Sequence, residues 1–307
     1  MKGYLKKLIL FFYNFCFHTL QKFRFYGFKQ FILFKFLNFY EYVKTFQKNK
    51  NYKILKKKDI LNEKQSNTLF IFGSGYSLNS ISKKEWEYFE KNDTLGFSHF
   101  LRQKWIHCRF HLIRGWKEGW VSPKTGKITS TEIINIIGNN NLYKDTIFII
   151  QNEMSAITGN SILNKKLSNS PKKIFKYKTN FNLNFPDRSE PNKFCHNNGT
   201  LFDALSFGYL MEWEKIILVG VDLYDSRYFF LKNDETFKTD FFTGEQKPSI
   251  NTNRGSTFNK PHSTYKKNLI DLMNLWSTKF KENHVKLYVY NPKSLLTKIL
   301  PIYKIKL

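Results

Sequence analysis

Four short stretches bring together residue types that could do chemistry. Lys260-Pro261-His262-Ser263 sets an imidazole between a polar loop and a long apolar-periodic segment. An imidazole titrates near neutrality, so it is the natural group to take a proton from a hydroxyl. The same histidine also reads as a loop residue beside a Ser263 helix cap. The run Ile216-Ile217-Leu218-Val219-Gly220-Val221-Asp222-Leu223-Tyr224, followed by Asp225 and Tyr228, releases carboxylates and two phenols at its carboxyl end. Tyr224 and Tyr228 could donate hydrogen bonds to a departing phosphate and so neutralise its charge without a cation. Asp222 with Asp225 could hold a metal, but the Asp-x-Asp spacing of metal-dependent nucleotide-sugar enzymes is missing, and no metal is expected.

The other two stretches are turns. Leu69-Phe70-Ile71-Phe72-Gly73-Ser74-Gly75-Tyr76-Ser77-Leu78 runs from an apolar strand pattern into a two-glycine turn and then polar residues. Such a turn exposes backbone N–H groups at a helix start, where they and the helix dipole hold a phosphate. A dinucleotide fingerprint wants a third small residue where Leu78 stands, and a plain strand-to-helix turn explains the glycines equally well. Asn197-Asn198-Gly199-Thr200 leads into the apolar stretch ending Gly208-Tyr209, with Asn198 or Thr200 placed to cap a helix. It serves a ligand only where Asn198 and Gly199 face the crevice that holds Gly73 to Gly75.

These residues need a scaffold, and the periodicity supplies one. Apolar runs at Thr68 to Phe72, Thr146 to Gln151, Lys215 to Val221 and Val285 to Tyr290 predict strands. Helical spacing covers Ser82 to Lys91, Thr200 to Trp213 and Ser263 to Glu282. Alternation of short apolar runs with longer helical patterns implies βαβ units, hence an α/β, doubly wound, mainly parallel sheet over residues 67–307. Residues 165–193 and 232–260 are polar and weakly periodic, and read as loop or lid regions. Residues 48–58 and the stretch ending at Asn67 read as a linker.

Residues 1–66 have another texture. Phe11, Phe12, Phe15, Phe31, Phe34, Leu37 and Val43 recur at helical spacing among lysines, with hardly any acidic residues. A basic helical extension with an aromatic face suits an anionic membrane surface, or a hairpin packed against the catalytic domain or a partner. The formal charge of +26 over 307 residues is rich in Lys, Asn, Ile and Phe, which AT-rich codons encode. No nucleic-acid motif accompanies it, so no nucleic-acid partner is expected. Three scattered cysteines, Cys16, Cys108 and Cys195, form no Cys-x-x-Cys pair and fit a reducing compartment. With no signal-peptide pattern and no run approaching about 18 apolar residues, the expected place is the cytoplasm, peripheral on the inner membrane.

Taken in order, the four stretches resemble the bacterial sialyltransferases of glycosyltransferase family 42. That family opens with a strand and a Gly-Asn-Gly-Pro-Ser-Leu turn, against Gly73-Ser74-Gly75-Tyr76-Ser77-Leu78 here. Its Ser-Gly turn, Gly-Tyr helix end and Gly-Ile-Asp-Phe-Tyr strand end correspond to Asn198-Gly199, Gly208-Tyr209 and Gly220-Val221-Asp222-Leu223-Tyr224. Its His-Ser pair and Pro-Asn-Ser-Leu-Leu segment correspond to His262-Ser263 and Asn291-Pro292-Lys293-Ser294-Leu295-Leu296. The likeness spans roughly Leu69 to Pro301 in blocks. It implies a GT-A-like, Rossmann-type domain with a lid, a CMP-activated acidic sugar as donor, and metal-free inverting transfer to a surface-glycan or glycolipid acceptor. His262 would be the base, and Tyr224 and Tyr228 would steady the CMP phosphate. Gly73 to Gly75, Ser77, Asn198, Gly199 and Asp222 would lie around the nucleotide. Where the family has asparagines that meet the donor, this chain has Ser74 and Ser98, which opens the donor to another nonulosonic acid, Kdo or another nucleotide sugar. Homo-oligomers are compatible with the pattern. The competing readings are an α/β enzyme that transfers a phosphate-bearing group, and a non-enzymatic basic protein that binds membrane or nucleic acid.

Overall fold

The structure, a computed structural model, describes residues 52–114, 136–138, 140–152, 172–180, 185–197, 199–225, 227–230, 235–239, 246–250 and 269–305. The expected N-terminal extension up to residue 51, Asn198 and His262 lie outside the described residues.

The strands are β1 (Tyr52–Leu55), β2 (Thr68–Phe72), β3 (Asp93–Phe97), β4 (Phe110–Ile113), β5 (Ile147–Gln151), β6 (Lys172–Asn180), β7 (Lys193–Cys195), β8 (Lys215–Val219), β9 (Glu235–Thr239), β10 (Gln246–Ile250) and β11 (Lys286–Val289). The helices are α1 (Lys57–Glu63), α2 (Lys83–Glu90), α3 (Thr200–Leu210) and α4 (Leu269–Glu282). Nine strands form one sheet in the order β1-β6-β5-β4-β3-β2-β8-β11, with β7 paired to the far half of β6. Every strand pair in that sheet is parallel. The remaining pair, β9 and β10, is an antiparallel hairpin.

Side chains alternate across each strand, so a doubly covered sheet needs apolar residues at every position. β2 meets this with Leu69 and Ile71 in one core and Phe70 and Phe72 in the other. β8 does the same with Ile216 and Leu218 against Ile217 and Val219. The first core carries α3 and α4 together with Leu296 and Leu300 after β11; the second carries α2, with Tyr290, Tyr303 and Ile305 packed against it. α2 begins in a capping box: Ser82 Oγ accepts from Glu85 N, and Ser82 N donates to Glu85 Oε2 at 2.6 Å. α3 is buried from Leu201 through Leu210, which is why its sequence is apolar on every side apart from Asp203 and Ser206. Among the described residues, no helix is long and apolar enough to cross a membrane.

The doubly wound parallel sheet matches the expectation from periodicity, but its extent does not. The stretch read as a linker holds β1, which pairs with β6 from Tyr52↔Lys172 to Leu55↔Phe175, and then α1. The sheet domain therefore starts by residue 52 rather than 67. The stretch read as a loop or lid, 165–193, contains the nine-residue β6. Its lysines disguised it: Lys172 is buried with Nζ donating to the carbonyl of Tyr143 at 2.6 Å, while Ile174, Phe175 and Tyr177 fill the core. The stretch 232–260 contains the β9–β10 hairpin.

Candidate active site at the carboxyl edge of the sheet

From β2 the chain builds outward through β3, β4, β5 and β6, then returns to the other side of β2 with β8 and β11. The carboxyl ends of β2 and β8 therefore flank the topological switch point, where open parallel sheets form their ligand crevice. Four of the segments that leave the sheet on this edge surround the switch point: Gly73 to Ser77 after β2, Ser98 after β3, the chain from Gly220 after β8 that carries Tyr228, and Asn291 after β11. Gly73, Ser74, Gly75, Ser77, Asp222, Tyr224 and Tyr228, singled out by residue type, converge here. Ser98 stands on the same edge. Gly199 follows β7, which neighbours neither β2 nor β8 in the sheet.

The segments after β2 and β8 cross in close contact. Gly73 N donates to Val219 O and Gly75 N to Gly220 O, each at 2.8 Å. A Cβ on Gly73 would sit 2.5 Å from the Gly220 oxygen, and one on Gly75 2.4 Å from Asp222 Oδ2. The glycines thus serve the crossing first, and their two amides are engaged within the protein. Gly220, at φ +64°, makes room for Leu78, whose Cδ2 would lie 2.6 Å from a Cβ there. The small residue that the Leu78 position seemed to lack is supplied from the next strand.

Asp222, 3% exposed, ties three strand ends together. Its Oδ2 accepts from Ser77 N at 2.9 Å; its Oδ1 accepts from the Ser77 hydroxyl and from Asn291 Nδ2, the latter at 2.8 Å. Asp225 is engaged by Arg227 through Nε and Nη2, at 3.0 and 2.7 Å to Oδ2. The Arg227 guanidinium lies 3.8 Å over the Tyr76 ring, so the second acidic residue holds the wall of the crevice. Both carboxylates face protein donors.

An aromatic wall closes the other side. Gly75 and Tyr228 form an isolated antiparallel bridge, and Phe229 N donates to Ser74 O at 3.1 Å. The Tyr228 ring stacks on Phe230 with centroids 5.4 Å apart and meets His99 edge-on at 5.0 Å. Arg102 lies 5.0 Å over Phe230. Burial pushes the phenols of Tyr224 and Tyr228 above the ordinary tyrosine value. Both therefore stay protonated at neutral pH and can donate hydrogen bonds. Asn291 Nδ2 reaches the Tyr224 hydroxyl at 3.5 Å, at the margin of a hydrogen bond.

Three further marks of a functional edge are present. Ser98 and Leu223 hold φ of +52° and +63°, and each lies just beyond a strand that ends at the crevice. Left-handed backbone at non-glycine residues costs of order 1 kcal/mol and gathers at functional sites. The Ser74 hydroxyl is buried and has no hydrogen-bond partner among the described residues, a condition a bound polar group would relieve. A cavity of about 550 Å³ opens beside the Asp222 contacts, lined by Ser77, Glu85, Gly220, Tyr290, Asn291 and Tyr303, among others.

His99, Arg102, Arg227, Phe230 and Asn291 were not legible as site residues. They lie on three separate segments, and only the sheet order brings them to one edge. No protein-family model matches the chain, and no curated protein sequence matches it.

Proposed function

We propose that the chain is a glycosyltransferase that takes a CMP-activated acidic sugar as donor and a surface-glycan or glycolipid hydroxyl as acceptor. One observation supports this reading above the others: two protonated phenols, Tyr224 and Tyr228, stand beside the Gly73-to-Ser77 turn at the switch point. Phenolic donors at a crevice of this kind offset charge that develops on a leaving phosphate. The cavity beside Asn291, with its tyrosine rings and hydroxyls, gives the nucleoside room. The unpartnered Ser74 hydroxyl would meet the donor.

In this scheme the acceptor oxygen attacks the anomeric carbon with inversion. The bond from that carbon to the phosphate oxygen breaks, and its electron pair leaves with CMP. The resemblance assigns the acceptor proton to His262 and dispenses with a metal. The segment before β1, residues 1–51, would hold the enzyme at an anionic membrane surface on the cytoplasmic side, near a lipid-linked acceptor.

A thermal-shift panel of CMP, UDP and NAD on the full chain tests the donor class. A ligand that binds only the folded state stabilises it by about 2.7 kcal/mol at a hundred times its Kd. Stabilisation by CMP and not by UDP or NAD is expected. No response to any of the three, or a response to UDP or NAD alone, overturns the reading.

A further inference from the structure

Glu85 closes the capping box at the start of α2, yet the cap uses only part of its carboxylate. Oε2 accepts from Ser82 N at 2.6 Å, and Oε1 accepts from the hydroxyl of Tyr290, 205 residues away in sequence. A carboxylate offers about four lone-pair positions on its two oxygens, so acceptor capacity remains. Glu85 lines the cavity of about 550 Å³ beside Asn291, and Glu85 and Lys304 are the charged residues of that lining. Partial burial acts to raise the Glu85 pKa, but hydrogen bonds from Ser82 and Tyr290 outweigh it and hold it below the ordinary carboxylate value. Burial, then the bond to Glu85, pushes the Tyr290 phenol above the ordinary tyrosine value, so Tyr290 keeps its proton and directs it at Glu85.

The walls around this acceptor are fixed. The Tyr290 ring meets Phe89 edge-on with centroids 5.3 Å apart. Opposite, Val289 N donates to Pro301 O at 3.0 Å, Tyr303 N to Val289 O at 2.8 Å, and the Tyr88 and Tyr303 hydroxyls meet at 2.9 Å. The cavity thus joins apolar surface from Ile81, Val219 and the tyrosine rings to one aimed anionic acceptor. That combination suits a planar heterocycle with an amino group on its edge: the ring packs on apolar side chains and the amine donates to the carboxylate. Acidic side chains make the same pairing with the amine of cytosine wherever they read that base. The cavity also adjoins the phosphate phenols, since Asn291, next after Tyr290, brings Nδ2 to 3.5 Å from the Tyr224 hydroxyl.

We infer that Glu85, aimed by Tyr290, selects cytosine over uracil by accepting a hydrogen bond from the amino group at C4 of the base. The inference rests on the CMP reading above. Uracil carries a carbonyl oxygen at the same ring position, which sets an acceptor against the carboxylate and leaves both without a proton to share. Glu85 is a specificity residue and Tyr290 a positioning residue; neither touches the bond that breaks.

The test measures Kd by titration calorimetry on the full chain, with CMP, UMP and the 5′-monophosphate of the pyrimidin-2-one riboside, which is CMP without its amino group. Wild type is compared with Glu85→Gln and Tyr290→Phe. Glutamine also serves at the third position of a capping box, so α2 keeps its start. In the wild type, CMP is expected to bind about tenfold or more tighter than either analogue, the ratio that one hydrogen bond to a charged group supplies. In Glu85→Gln the CMP Kd should rise about tenfold or more while the other two change less than about threefold, and Tyr290→Phe should shrink the preference part-way. An intact preference for CMP in Glu85→Gln overturns the assignment and leaves the CMP reading standing. Equal weakening of all three nucleotides also overturns it, because a carboxylate that only holds the ribose or the cavity wall acts on each alike. Should Glu85→Gln fail to fold, the wild type decides: equal affinity for CMP and its amine-free analogue overturns the inference, and a tenfold gap that narrows in Tyr290→Phe supports it. Absence of CMP binding by the wild type overturns the glycosyl-transfer reading and this inference together.

Discussion

Ser77 and Asp222 are 145 residues apart in sequence, yet the Asp222 carboxylate accepts both the backbone N–H of Ser77, at 2.9 Å, and its hydroxyl. With Asn291 as a further donor, this one side chain joins the ends of β2, β8 and β11. Asp222→Ala should therefore lower stability by about 2–3 kcal/mol, the range for leaving buried neutral donors without their acceptor. Urea denaturation of the full chain measures it. A loss below about 1 kcal/mol would show that water or neighbouring groups replace the carboxylate.

Gly73→Ala probes the crossing itself. The new Cβ would lie 2.5 Å from a backbone oxygen, that of Gly220, and 3.1 Å from Val221 Cγ2. Backbone cannot swing aside as a flexible side chain does, so the strand ends must part. The expected loss is about 2–4 kcal/mol, near the upper range for overpacking. An unchanged urea midpoint for Gly73→Ala would contradict the close approach.

His111 gives a pH prediction with a definite sign. It is fully buried in β4, and burial pushes its pKa down to about 3 from an ordinary value of 6.5. Between those values the unfolded chain binds a proton there and the folded chain does not, so stability rises with pH. The contribution is complete above about pH 6.5 and is lost as pH falls toward 3. At pH 4.5 the difference amounts to about 3 kcal/mol. His111→Gln removes the ionisation, so its stability should fall less steeply than that of the wild type between pH 6.5 and 4.5. Parallel curves for the two proteins would refute the assignment.

Tyr228→Phe separates the phenol from its ring. The stack on Phe230 at 5.4 Å and the edge contact with His99 at 5.0 Å need only the ring. Under the proposed function the variant keeps its melting temperature within about 2 °C, as for a small stability change, and turns over about 10- to 100-fold more slowly. Full activity in Tyr228→Phe would remove the hydroxyl from phosphate stabilisation.

Particular elements show where the sequence is informative. β2 lies over Thr68–Phe72 as its apolar run predicts, and α3 begins at Thr200 as expected. The predicted strand Lys215 to Val221 ends instead at Val219, because Gly220 turns to φ +64° over Leu78. β3 and β4 were not legible as strands, since Asp and His read as loop residues. In the fold Asp93 is fully buried and accepts from Trp213 Nε1 at 2.9 Å and from the amides of Gln65 and Ser66. A buried polar residue needs partners, and those partners are chosen by the fold.

The sequence by itself determined the class of fold and singled out the glycine turn after β2 and the Asp222-to-Tyr228 stretch after β8, which meet at the switch-point edge. Apolar period and glycine turns are local properties, and in a parallel sheet every strand end must point to one edge. The tertiary structure alone decided which strand ends are neighbours. That put Asp222 on Ser77 rather than in an open acidic pair, and supplied the small residue of the turn from Gly220. Such pairings depend on strand order and on desolvation, which no local spacing encodes.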